Sequence, residues 1–198
     1  MERKNVKRKR VAKRVVFVAL FAALTAACGF ISIPMPVTVV PIVLQNMMAV
    51  VNGLVMGPVW GTLATVLFIL VGMVGLPVFS GGTAGIARLV GPTGGFIIGY
   101  AIASAVGGLI LGRPRIEKKE KVWKIGVATV ASFFIMYVPG VAHFMRVMGA
   151  SFGEAMAMCV TPFVVGDVIK AVVCVIIAGP IRKWVASFVF SDDVVEEG

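Results

Sequence analysis

The chain has 198 residues, of which 59% are hydrophobic and only 14% charged, with a mean hydropathy of +1.01. A soluble domain runs at about 45–50% apolar and about 25% charged, so a core of this length cannot bury the excess and the bilayer must be its solvent. That excludes a soluble enzyme, a disordered chain and a nucleic-acid-binding protein, despite a net charge of +10.

The positive charge is confined to two blocks. Residues 1–14 carry eight basic side chains (Arg3, Lys4, Lys7, Arg8, Lys9, Arg10, Lys13, Arg14) against Glu2. Residues 113–124 carry six (Arg113, Arg115, Lys118, Lys119, Lys121, Lys124) against Glu117 and Glu120. Compact basic blocks beside apolar runs mark cytosolic segments. A nucleic-acid surface would interleave basic residues with polar and aromatic ones. The basic head before an apolar stretch also mimics a signal peptide, and Leu24 to Cys28 brush against a lipoprotein signal. Thr25 stands where that signal has Leu, and retention as a first membrane helix is the expectation.

Between Val15 and Gly112 the only ionised residue is Arg88, so breaks must come from Gly and Pro. The first span is expected over 15–33, ended by Pro34 and Pro36. A second runs over 41–56 to a tight Gly57-Pro58 turn, and a third over 59–74. The Gly-rich stretch 75–85 is too irregular for a span and survives at membrane depth only under cover of protein or water. A fourth helix opens at Gly91-Pro92-Thr93-Gly94-Gly95 and reaches Leu111. The fifth covers 125–148. Ser151 and Glu154 have capping-box spacing, so a helix starts there. Thr161-Pro162 interrupts it, and a last span runs over 163–181, closed by Arg182 and Lys183.

The expected fold is thus an all-α integral membrane protein of six helices with irregular outer loops. It divides into a basic cytosolic segment (1–14), a membrane domain (15–183) and an acidic tail (184–198). Even parity puts both termini and the 113–124 loop on one side, in agreement with the charge rule. Segments 34–40, 75–90 and 149–151 then face outward. There is no evident internal repeat of the kind carriers use.

Much chemistry is missing. There is no phosphate-cradling G-x-x-x-x-G-K-[ST], no H-E-x-x-H, and His143 is the only histidine. Cys28, Cys159 and Cys174 are isolated in apolar surroundings and suggest neither a metal site nor disulfides. No catalytic or metal-binding residue is expected.

Five ionisable residues remain in or beside the spans: Arg88, Arg146, Glu154, Asp167 and Lys170. A charge near the bilayer centre costs ~3 kcal/mol or more, which makes it a functional candidate with a partner to be named. Asp167 and Lys170 are i, i+3 neighbours on one helix face. They form either a structural ion pair or the polar floor of a ligand site. Arg88 precedes the free amides at Gly91 to Gly95, a combination suited to a carboxylate, or it snorkels to the interface. Glu154 is explained by its cap, and Arg146 and His143 by the outer interface. Gln45 and Asn46 are amides inside a span, either interhelical hydrogen-bond partners or cavity residues. Ala19, Ala23 and Ala27 form a small-residue stripe that lets a second helix approach, from inside or outside the chain.

The runs Val40-Pro41-Ile42-Val43-Leu44-Gln45, Gly75-Leu76-Pro77-Val78-Phe79-Ser80-Gly81-Gly82, Gly91-Pro92-Thr93-Gly94-Gly95-Phe96 and Pro162 to Lys170, with its Gly166-Asp167-x-x-Lys170, come in the right order over about residues 15–183. Together they resemble the BioY family, the biotin-specific S components of energy-coupling factor (ECF) transporters. The resemblance implies six membrane helices in the cell membrane around a biotin site near the outer face, roofed by the loops after the first and third helices. It implies substrate contact by Asp167 and Lys170, with Arg88, Gln45, Gly82, Gly91 and Thr93 as further candidates. It also implies docking of a transmembrane coupling protein with two cytosolic ATPases on Ala19, Ala23 and Ala27. Biotin is then the transported ligand, with no cofactor, no nucleic acid and membrane lipids as surroundings. The rival readings are an S component for another vitamin, a small intramembrane enzyme using Asp167, and a purely structural subunit.

Overall fold

The computed structural model describes residues 2–36, 38–116 and 120–190. In chain order these form α1 (Glu2–Ala27), β1 (Ser32–Met35), β2 (Thr38–Val43), α2 (Gln45–Met73), α3 (Ala87–Val90), α4 (Gly94–Leu111), α5 (Val122–Met148), α6 (Phe152–Cys159), a 3-10 turn (Thr161–Phe163) and α7 (Val164–Val189). Helix α2 packs against α1, α4 and α7, and α5 packs against α4 and α7. The packed interior holds Leu54, Phe68, Ala103, Met136, Phe144, Cys174 and Val185. Large apolar side chains such as Leu109, Phe134, Val165 and Ile169 point outward instead, a surface that suits hydrocarbon rather than water.

The expected turn at Gly57-Pro58 is the hinge of α2. Gly57 has φ 81°, a left-handed value that glycine alone adopts at no steric cost, and Pro58 removes the next helical amide. The two limbs, 45–56 and 58–73, fold back on each other. Asn52 Nδ2 donates to Thr65 Oγ1 at 3.1 Å, thirteen residues away, a separation of ~20 Å in an unbroken helix. A Cβ at Gly61 would collide with the Asn52 carbonyl, so the limbs meet backbone to backbone. Gly53 in turn lies against the Ser104 carbonyl of α4.

Among the described residues, four helical stretches are long and apolar enough to cross a membrane: Gln45–Met73, Gly94–Leu111, Val122–Met148 and the run Phe152–Val189. Helix α1 is continuous from Glu2 through the basic head to Ala27, without a break at residue 14. Arg10 is buried, and the Arg14 guanidinium lies over the rings of Trp60 and Phe190 at 5.5 and 5.1 Å. The head therefore packs on the bundle.

Three expectations are corrected. The fold is not wholly α, because β1 and β2 pair antiparallel where an irregular loop (34–40) was expected, which also ends α1 at Ala27 and delays α2 to Gln45. Pro34, Pro36 and Pro41 argue against strands, but both strands of a two-stranded ribbon are edges, where a missing amide is tolerated. The β-branched Ile33, Val39, Val40, Ile42 and Val43 supply the strand preference, and the register slips between Ile33 and Met35, across Pro34. Next, the 75–90 segment ends in a helical turn, α3. Finally, α7 continues past Arg182 and Lys183 to Val189. Lys118 and the acidic residues 192–197 lie outside the described residues.

Arg182 explains that last extension. It is buried at 4% exposure, with Nη1 donating to the Leu54 carbonyl at 2.6 Å and Nη2 to those of Leu111 and Gly112 at 3.0 and 2.8 Å. These are carbonyls at the ends of the first α2 limb and of α4, which lack intrahelical partners. The guanidinium caps two helices at once. The Ser151 capping box is present as expected: the Ser151 hydroxyl accepts from the Glu154 amide, and the Glu154 carboxylate accepts from the Ser151 amide at 2.8 Å.

Candidate functional site

A cavity opens between the β-ribbon, the first turns of α2, α4 and α7, and α5. With its open mouth counted, it encloses about 580 Å³ of space free of protein atoms. Val40, Pro41 and Val43 of β2 form one wall, and Phe96, Ile97, Tyr100, Met136, Cys159 and Phe163 the others, with Ser80 at the rim. The ribbon is thus the element that closes this side of the cavity.

The polar floor is a network of four side chains from three helices. Asp167 Oδ1 accepts from Lys170 Nζ at 3.0 Å and from Asn46 Nδ2 at 3.1 Å, while Lys170 Nζ also donates to Asn46 Oδ1 at 3.1 Å. The Tyr137 hydroxyl donates to Asp167 Oδ2. Asp167, Lys170 and Asn46 are all buried, at 8%, 7% and 9% exposure. Asp167 lies in the first turn of α7, where the helix dipole favours a carboxylate. A buried charge pair is tolerable only when its remaining donors and acceptors are met, and Asn46 and Tyr137 meet them.

Four sequence candidates line the cavity: Asp167, Lys170, Gln45 and Thr93. Gln45 spends its amide on bracing. Its Nε2 donates to the Val78 carbonyl at 2.6 Å and to the Thr25 carbonyl at 3.3 Å, tying α1 and the 74–86 loop to the start of α2. Arg88, Gly82 and Gly91 are not brought to the cavity wall. Arg88 Nε donates to Thr83 Oγ1 at 2.7 Å and Nη2 to the Ser80 carbonyl at 3.2 Å, so it holds the loop that carries Ser80. Gly82 sits at a positive-φ turn, and the Gly91 carbonyl lies 3.0 Å from His143 Nε2. The alanine stripe faces outward: Ala19, Ala23 and Ala27 are exposed, while Val18, Phe21, Ala22 and Thr25 of the same helix are buried.

Sequence reading missed Tyr137, Tyr100 and Phe96, which look like any aromatics in an apolar span. Asn46 had a signal, an amide next to Gln45 in a span, but nothing that separated the two. Among the described residues no three His, Cys, Asp or Glu side chains cluster closely enough to hold a metal, and the three cysteines are free thiols.

Fold and cavity together define a class: a multi-pass helical membrane protein built around a cavity with apolar walls and a charged floor. Residues 1–187 match the model of the BioY family. A probable biotin transporter BioY from Pyrococcus horikoshii is 37% identical over 167 residues, 84% of this chain and 94% of that protein. The biotin transporter BioY of Rhodobacter capsulatus is 36% identical over 181 residues, 87% of this chain and 94% of that one. The crystal structure of the S-component for biotin from an ECF-type ABC transporter superposes with a TM-score of 0.81 at 26% identity, over 88% of this chain and 93% of its own. The chain belongs to the BioY family, whose members are transporters rather than enzymes.

Proposed function

We propose that this chain captures biotin within the membrane as the substrate-binding S component of an ECF-type transporter. The observation that carries the reading is the buried Asp167–Lys170–Asn46–Tyr137 floor beneath apolar walls. Biotin presents two ureido N–H donors and one carbonyl acceptor, a soft thioether ring and a carboxylate tail. Asp167 accepts from N–H groups, Lys170 donates to an oxygen, and Phe96, Tyr100 and Phe163 cover the ring. Such charge-assisted hydrogen bonds are worth ~1.5–3 kcal/mol each.

Six crossings are proposed: α1, both limbs of α2, α4, α5 and α7. The termini and the basic 113–124 segment are then cytosolic, and the β-ribbon, the 74–90 segment and the α5–α6 junction face outward. Because α7 runs to Val189, the reporter that tests this belongs after Phe190 rather than after Lys183, with a second at Lys118. Cytosolic signals from both are expected, and an external signal from either overturns the topology.

Uphill transport needs an energy source, supplied in this reading by a transmembrane coupling protein and two cytosolic ATPases. The exposed Ala19, Ala23 and Ala27 stripe is the proposed docking face. The function is tested by mass spectrometry of small molecules retained on the purified protein, followed by calorimetric titration. Unmodified biotin released on denaturation supports the reading. Another vitamin, or a chemically altered product, replaces it with one of its rivals.

A further inference from the structure

A second groove lies at the opposite end of the bundle from the cavity, between the start of α5 and residues 175–183 of α7. Its apolar wall is Val122, Ile125, Val175, Ile176 and Pro180. Gly179 faces α5 across it, where an added Cβ would make ordinary contact with Ile125 Cδ1 at 3.7 Å. Val122 and Ile176 are 69% and 66% exposed, so the wall is not covered by the chain's own described residues.

At its polar end stand Arg115 and Lys183, both exposed and neither with an ion-pair partner among the described residues. The other two charges of the groove, Glu120 and Arg182, face each other at 3.8 Å, and Glu120 also lies 3.9 Å from Lys124. The acid is therefore balanced, and among the described residues the groove keeps two cations without an acidic partner beside a strip of exposed hydrocarbon. It sits at helix-end depth, since Arg182 caps the carbonyls of Leu54, Leu111 and Gly112 at this level.

We infer that this groove is a site for one anionic phospholipid, its acyl chain along Ile176 and Val122 and its phosphate between Arg115 and Lys183. Basic pockets between helices at a membrane surface hold anionic headgroups, and each Lys or Arg adds to the attraction. A soluble anion would gain only the two exposed cations, which water and salt screen. A lipid gains the apolar wall as well. This site is independent of the ligand reading of the main cavity.

Trp123 follows Val122 at the start of α5 and is 66% exposed, whereas Trp184 packs against Phe17 of α1 at 5.5 Å, so with Trp60→Phe and Trp184→Phe as background the remaining fluorescence reports from the α5 end of the groove. The test reconstitutes full-length protein in phosphatidylcholine vesicles containing a small fraction of brominated phosphatidylglycerol or, separately, brominated phosphatidylcholine. The site predicts a quenching preference for the anionic lipid of at least about threefold. Arg115→Gln with Lys183→Gln should bring the ratio to one; both side chains are exposed, so circular dichroism and biotin binding should not change. Inorganic phosphate at millimolar concentration should leave the wild-type preference intact, and relief by phosphate would mean a simple anion site. Equal quenching by the two lipids in wild type, or a preference that survives the double substitution, overturns the proposal.

Discussion

Lys170 Nζ lies 3.1 Å from Asn46 Oδ1, joining the last helix to the second across 124 residues of sequence. Asn46 returns its own Nδ2 to Asp167, so the amide completes a closed triangle with the i, i+3 ion pair. The donors and acceptors of the floor therefore already satisfy one another. A ligand must offer donors and acceptors at least as good as those it displaces, which is a route to selectivity for a molecule with a ureido-like pattern.

Tyr137 is one of the two neutral members of this floor, and its hydroxyl can be removed without deleting a charge. Tyr137→Phe deletes the hydrogen bond to Asp167 Oδ2 and keeps the T-shaped contact with Phe96, whose centroid is 6.0 Å away. A hydrogen bond to a charged group is worth ~1.5–3 kcal/mol, so biotin affinity should fall by about tenfold or more if the hydroxyl orients the bound carboxylate. Calorimetric titration of the purified variant measures this. Unchanged affinity would place Tyr137 in packing alone.

Asp167 and Lys170 require a paired test. Removing one leaves the other uncompensated, at ~3–5 kcal/mol for a buried pair, so single variants report on folding as much as on ligand. Asp167→Asn with Lys170→Met removes both charges at nearly constant volume, and Asn46 still has an amide to bond. The double variant should insert and stay monodisperse while losing at least about tenfold in biotin affinity. A folded double variant that binds biotin normally would show the pair to be structural.

The helices that frame the site were legible because the signals were local. Gly57-Pro58, the Ser151 capping box and the Asp167–Lys170 spacing each act within a few residues. The β-ribbon was not, because its three prolines point away from strands unless the sheet is known to have only edges. Arg182 was read as the membrane boundary because a basic residue after an apolar run normally is one. It is instead buried against carbonyls contributed by residues 70 and 128 positions away, a partnership no local pattern announces. Tyr137 and Asn46 became site residues only through tertiary packing. The placement of Arg88 on the 80–83 loop was equally invisible, since its acceptors are a hydroxyl and a carbonyl rather than an acid.

The two faces of α1 should respond differently to bulk. Ala23 is exposed and Ala22 is buried at 6% exposure. Ala23→Trp should leave stability and biotin binding intact while abolishing co-purification with the coupling protein and uptake by cells. Ala22→Trp overpacks the α1–α2 contact, at ~1–3 kcal/mol, and should lower the thermal midpoint. Parallel loss of binding in Ala23→Trp would make the stripe an internal surface and withdraw the docking assignment.

Close backbone approach should make Gly53 intolerant of a single methyl. An added Cβ would overlap the Ser104 carbonyl, which as backbone cannot swing aside. Gly53→Ala should therefore destabilise by ~1–3 kcal/mol, visible as a lower thermal midpoint in detergent. Gly126→Ala is the control: it sits within α5 with nothing within 4 Å of the added carbon, and helix propensity predicts a neutral or stabilising effect of up to ~1 kcal/mol. Equal behaviour of the two variants would mean that the α2–α4 contact relaxes freely.

Arg182 should matter for stability and not for ligand. Arg182→Met strands the carbonyls of Leu54, Leu111 and Gly112 and takes one cation from Glu120, which keeps Lys124 nearby. Truncating one partner of a buried charged network costs ~3–5 kcal/mol. Arg182→Lys should recover only part of that, because one ammonium lacks the planar fork that reaches three acceptors on two helices. Adding Glu120→Gln to Arg182→Met separates the two causes: the orphaned carbonyls should keep the double variant unstable, whereas full recovery would assign the cost to the carboxylate. Thermal unfolding in detergent orders the four proteins, with wild type first, Arg182→Lys next and both Met variants last. Biotin affinity measured below each midpoint should be unchanged throughout, since the cavity lies at the other end of α7. A Met variant as stable as wild type would remove Arg182 from its capping role.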